Sequence, residues 1–153
     1  MLNKFKVIKK DLKKNMYGEG RTLLTIGIED IMAFKTNPDY YIFRNFIGLL
    51  DIYKEEIYEG DIVEIITDEL DKEFIDSLKS LRGVVIWMPS SARYELCLFE
   101  YEPYNDKNGF LNIVDEEQSD DHPEIESRYL EIKGNAYENP ELLDDEMKHS
   151  FKF

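Results

Sequence analysis

The residues best suited by type to do chemistry are Asp120, Asp121, His122 and Glu124, three carboxylates and an imidazole within a short stretch. Carboxylate and imidazole together suit zinc or manganese. A working metal site holds its ligands on rigid elements. These four stand in DEEQSDDHPEIES (Asp115 to Ser127), which has seven carboxylates, a Pro and only Ile125 as an apolar residue. Such a segment buries too little surface to be core, so it reads as a mobile acidic loop, and a metal there is disfavoured. A calcium loop is further away still, because no Asp-x-Asp-x-Asp-Gly run with a Glu at its twelfth position occurs.

Nucleophilic chemistry has equally little to work with. Cys97 is the only cysteine and lies in the apolar run LCLF, so it reads as a small buried hydrophobe. One cysteine allows no internal disulfide and no multi-cysteine zinc site. His149, between Lys148 and Lys152, suits the negative end of a helix and has no evident acid or base role. Neither a Ser-His-Asp nor a Cys-His arrangement can be drawn from the spacing, and phosphate-binding glycine loops are missing. Paired carboxylates carry no signal among 33 of them. The sequence therefore predicts a non-enzymatic protein with no cofactor and no metal.

Charge sets the next bound. The net charge is −14, but residues 1–22 hold seven Lys/Arg against two Asp/Glu, while residues 100–153 hold five against sixteen. A chain this acidic is repelled by phosphate backbones. Nucleic-acid binding through Lys4, Lys6, Lys9, Lys10, Lys13 and Lys14 would have to act against the field of the rest, so nucleic acid is not the expected partner. No apolar run approaches the length of a membrane helix and the first residues lack the apolar region of a signal peptide, so the expectation is a cytoplasmic protein.

The elements that must position any site read mostly as strands. With 42% hydrophobic and 13% aromatic residues in 153, one packed domain spanning 1–153 is expected. KFKVI (Lys4 to Ile8) alternates as a half-buried strand does, and RTLLTIGIEDIMAF follows a Gly-rich turn as a second strand. Thr36-Asn37-Pro38-Asp39 is turn chemistry, and YYIFRNFIGLL beyond it reads as a strand buried on both faces. Asp51 to Glu55 closes a turn, and Gly60-Asp61 breaks the chain before IVEII. Leu70, Phe74, Ile75, Leu78 and Leu81 then share one helical face, which predicts a helix over 68–82 with Asp68 as its cap and Gly83 as its end. VVIWMP and RYELCLFEYEP form a hairpin, NDKNG turns into the strand FLNIV, and YLEIKGNAY is a final strand. Asn139-Pro140 starts a terminal helix whose Leu142, Leu143, Met147 and Phe151 lie on one side.

Three of these segments, KFKVIKKDLKKNMY, GLLDIYKEEIYEGDIVEI and EIKGNAYENPELL, resemble the YopX family of phage and prophage proteins. The resemblance implies a small SH3-like β-barrel with added strands; it implies no biochemical activity. The helix between Ile65 and Gly83 and the long acidic segment stand out as additions to the family pattern. The opening strand also departs from it, with Ile8 and Lys9 where an aromatic residue and an acid are usual.

The chain thus reads as a mainly β protein that binds a host or phage protein. Two surfaces compete for that role. One is a patch of exposed aromatics, Tyr53, Tyr58, Tyr101 and Tyr104, although the same tyrosines would equally pack into the core with their hydroxyls at its rim. The other is the acidic surface, Asp115 to Glu126 with Glu141 to Glu146. It would imitate a nucleic-acid backbone and inhibit a host nucleic-acid-binding protein, or be ordinary solubilising charge. Exposed edges at the first and last strands allow a homo-oligomer.

Overall fold

A computed structural model of the chain describes residues 4–9, 23–26, 41–100, 109–118 and 123–150. Among the described residues, ten strands and two short α-helices make a mainly β fold with a curled, half-barrel sheet. Strands β1 (Phe5–Lys9), β2 (Leu23–Ile26), β3 (Tyr41–Leu50) and β4 (Glu56–Tyr58) form one sheet in the order β2-β1-β3-β4. Strands β5 (Asp61–Ile65), β6 (Arg82–Met88), β7 (Arg93–Leu98), β8 (Phe110–Val114), β9 (Glu124–Glu126) and β10 (Leu130–Asn135) form the other, ordered β10-β5-β6-β7-β8-β9. The remainder of RTLLTIGIEDIMAF beyond Ile26, the turns expected near residues 15–20 and 36–39, and most of NDKNG lie outside the described residues.

The middle strands of the larger sheet bury apolar side chains on both faces, which is why they read as apolar runs. Val63, Val85, Leu96, Leu98 and Leu111 point one way, into a core shared with Ile57, Ile125 and Leu130. Ile62, Val84 and Cys97 point the other way and meet Ala136, Leu143 and Met147. Side chains of opposite pleat thus fill two cores, as the two-residue period of a strand requires.

The Gly60-Asp61 break is where the two sheets join. Gly60 sits at φ 87°, a left-handed conformation open to glycine at little cost, and a Cβ there would collide with the Tyr137 ring. Asp61, 5% exposed, accepts the Tyr58 N–H at 2.8 Å and pairs with buried Arg44 from β3. That ion pair fastens β3 to β5.

Three expectations are corrected. The helix over 68–82 shrinks to α1 (Lys72–Asp76), capped by the Asp71 side chain and not by Asp68. Leu70, Phe74 and Leu78 do pack on the core, but the Leu81 carbonyl accepts the Ile65 N–H at 2.7 Å, which draws residues 81–83 into the sheet and leaves Gly83 inside β6. Nor is the terminal helix continuous. Pro140–Leu142 is a 3₁₀ turn, and α2 (Asp145–Ser150) starts afresh, with Asp144 accepting the Met147 N–H at 2.9 Å. Asn139 instead accepts from Asn135 N–H at 3.1 Å, so it closes the preceding turn and does not cap a helix. Finally, Asp115 to Ser127 is not all loop. Glu124–Glu126 is β9, parallel to β8, with Ile125 2% exposed, and Ser127 just after it, in a 3₁₀ turn, is 5% exposed. A single apolar residue with a small buried serine is enough when the neighbouring strand supplies the hydrogen bonds.

Candidate functional site

The turn between β3 and β4 is built around one carboxylate. Asp51 is 3% exposed; its Oδ1 accepts the N–H groups of Tyr53 and Glu55, each at 2.9 Å, and its Oδ2 accepts the Ile132 N–H at 3.2 Å. The backbone adds Asp51 N–H to the Glu55 carbonyl at 2.8 Å and Ile52 N–H to the Leu130 carbonyl at 2.8 Å. Lys54 at φ 66° completes the reversal. The turn is therefore closed on itself and riveted to β10. On this stiff frame three large apolar side chains face water: Leu50 at 40%, Ile52 at 37% and Tyr53 at 66% exposure. A frame this heavily bonded loses little entropy when a partner seats on it.

Beside the turn lies an open cleft of about 310 Å³ whose walls include Lys6, Arg44, Tyr53, Glu56, Asp61 and Glu138. Its two cations are already engaged. Arg44 donates Nε–H to the Glu59 carbonyl at 2.8 Å besides pairing with Asp61, and the Lys6 ammonium stands 4.2 Å from the Tyr58 ring centroid. Burial holds the Asp61 carboxyl above its ordinary range, with the Arg44 charge and the Tyr58 N–H acting against it. Burial likewise raises Glu59, opposed by the Asn45 hydrogen bond and by Arg44.

The four tyrosines separate. Tyr53 is on the exposed turn. Tyr58 is buried at 1% exposure, so its place in an exposed patch is corrected: it lies on the face of β4 opposite Ile57, against the Phe46 ring at 5.6 Å between centroids. Tyr101 and Tyr104 lie outside the described residues. The sequence reading missed Leu50, Ile52 and Trp87. Trp87 is 43% exposed and meets Tyr94 edge to face across the β6–β7 pair at 4.9 Å. The signal was available for the turn: three apolar residues flank an Asp that has no reason to be apolar, but their facing depends on tertiary contacts.

The residues that suggested chemistry do not converge. Asp120, Asp121 and His122 lie outside the described residues, while Glu124 is on β9, with Oε1 accepting the Gln118 N–H at 3.3 Å. No group of three His, Cys, Asp or Glu side chains is placed to hold a metal ion among the described residues. The Cys97 thiol is buried, and burial, with Asp144 and Glu95 adding to it, pushes it up to about 12. It stays protonated at neutral pH. Among the described residues no helix is long and apolar enough to cross a membrane.

A family model described as YopX protein matches residues 4–144. The chain belongs to the YopX family. No curated protein matches it. The match runs through all ten strands of the described residues, so the Asp51 turn and the Gly60-Asp61 junction both fall within the YopX region.

Proposed function

We propose that this YopX family protein is a non-enzymatic accessory protein of a phage or prophage, resident in the host cytoplasm, that binds a host or phage protein through the turn from Leu50 to Glu55. The observation that carries the reading is a buried Asp51 with three N–H groups on it, holding Leu50, Ile52 and Tyr53 out in water. Folding gains nothing from leaving these side chains wet, whereas a preorganised aromatic and aliphatic cluster is what the centre of a protein interface uses. The inert Cys97 thiol and the Arg44 guanidinium already held by Asp61 fit a binding role better than a reaction.

The test is capture from a host lysate by the purified protein and by an Ile52→Asp, Tyr53→Ala variant, at low and at high salt. Contacts of this kind keep their partner as salt rises, because apolar burial is not screened. A protein retained by the wild type at both salt concentrations and lost by the variant supports the reading. Capture that survives the variant and vanishes in salt points to the acidic surface, and to inhibition of a nucleic-acid-binding protein by charge mimicry.

A further inference from the structure

The larger sheet ends at β9, which pairs with β8 on one side and has no strand on the other among the described residues. Along that side runs a groove of about 350 Å³, bounded across the gap by α1 and the residues before it. Its floor is apolar, from Leu70, Phe74 and Ile125, all of which pack on the main core. Its rim is acidic, with Glu69, Asp71 and Glu117 each exposed. The two carboxylates of β9 are already engaged and leave the rim to those three: Glu126 accepts from Arg128 at 2.6 Å, and Glu124 is buried beneath Gln118.

We propose that this groove receives an extended segment of a partner protein in which Lys or Arg alternates with aliphatic residues. A strand edge facing a helix across an apolar floor is the geometry in which a peptide adds to a sheet, with main-chain bonds for affinity and alternate side chains for specificity. In an extended segment successive side chains point to opposite sides. One set enters the apolar floor and the other meets the carboxylate rim, so the charge of the rim selects a cationic segment and repels an acidic one. The volume accommodates about two side chains, on the scale of ordinary ligand clefts. This surface is separate from the Leu50–Glu55 turn, and either assignment stands if the other fails.

The experiment uses the full chain and two blocked hexapeptides, one alternating Lys and Val and one alternating Glu and Val, followed by amide and methyl NMR. The Lys-Val peptide shifts the signals of Glu124 to Glu126 and of Leu70 to Phe74, and binds at least about tenfold tighter than the Glu-Val peptide, a gap that narrows as salt rises. A Glu69→Lys, Glu117→Lys variant, both changes at exposed positions, lowers Lys-Val binding by about tenfold while leaving the fold intact. The Tyr53→Ala variant binds the peptide as the wild type does, which separates this site from the turn. Equal binding of the two peptides, or shifts that leave β9 untouched, overturns the proposal. So does sedimentation in which the unliganded protein dimerises and the double charge reversal abolishes the dimer, since the groove then belongs to a second copy.

Discussion

Asp51 concentrates more structure than any other side chain at the turn, because its one buried carboxylate accepts three part-buried N–H groups. Asp51→Ala leaves the donors of Tyr53, Glu55 and Ile132 without an acceptor. Hydrogen bonds to a charged group are each worth a kcal/mol or more, so the expected loss is about 3 kcal/mol, read as a lowered urea midpoint. Glu59 supplies a prediction in pH. Its carboxyl is raised by burial, so below the ordinary glutamate range the folded and unfolded chains both hold the proton and this residue costs nothing. As pH climbs through that range the unfolded chain ionises first, and stability falls until the pH passes the raised value of the folded protein. Glu59→Gln removes the ionisation. Its melting temperature should match the wild type near pH 4 and exceed it at pH 7; a lower value at pH 7 would mean the charge is stabilised by Arg44 more than burial penalises it. Asp51 was legible as a turn residue from its sequence neighbours, because an Asx turn is local. Tyr58 was not, since its burial comes from Phe46 and Lys6 on strands distant in the chain.

Elements were legible where their signal was local and hidden where a neighbour overrode it. The β6–β7 hairpin and the Gly60-Asp61 break follow from turn residues flanked by β-branched runs, and both stand where expected. Segment 68–82 has a sound helical period, yet only Lys72–Asp76 is helical, because pairing with β5 claims Arg82 and Gly83 for a strand. The acidic segment hid β9 for the opposite reason: composition argued against burial, while β8 offered a ladder that needs only one apolar side chain. Gly83 carries the clearest test at this scale. A Cβ there would stand 2.5 Å from the Cys97 carbonyl oxygen and 2.8 Å from Leu96 Cδ1, with β5 and β7 fixed on either side. A backbone oxygen between two paired strands cannot step aside, so Gly83→Ala should cost about 2–4 kcal/mol, as overpacked cores do. Thermal unfolding of the variant measures it. A loss below 1 kcal/mol, by contrast, would mean the strands shift as a unit.

At the scale of the whole molecule, the charge of −14 sets two electrostatic effects against each other. The described ion pairs, such as Lys4–Glu56, Arg82–Glu64 and Lys133–Glu131, are mostly half exposed, so each contributes little and salt weakens them. The excess of carboxylates repels itself, and salt relieves that. Distance decides which dominates. A domain of this length has a radius of gyration of about 15 Å, so charges across the molecule interact over roughly 15–30 Å. The screening length is about 30 Å at 10 mM salt and about 8 Å at 150 mM. Repulsion between distant carboxylates is therefore largely present in the first condition and largely removed in the second, whereas contact pairs at 3 to 4 Å keep much of their attraction in both. Melting temperature should rise by a few degrees between 10 and 150 mM sodium chloride, the scale on which about 1 kcal/mol moves a domain of this size. A fall over the same range would show that the short pairs outweigh the global field. The acidic surface would then be organised by its own cations, leaving less of its charge to attract a basic partner.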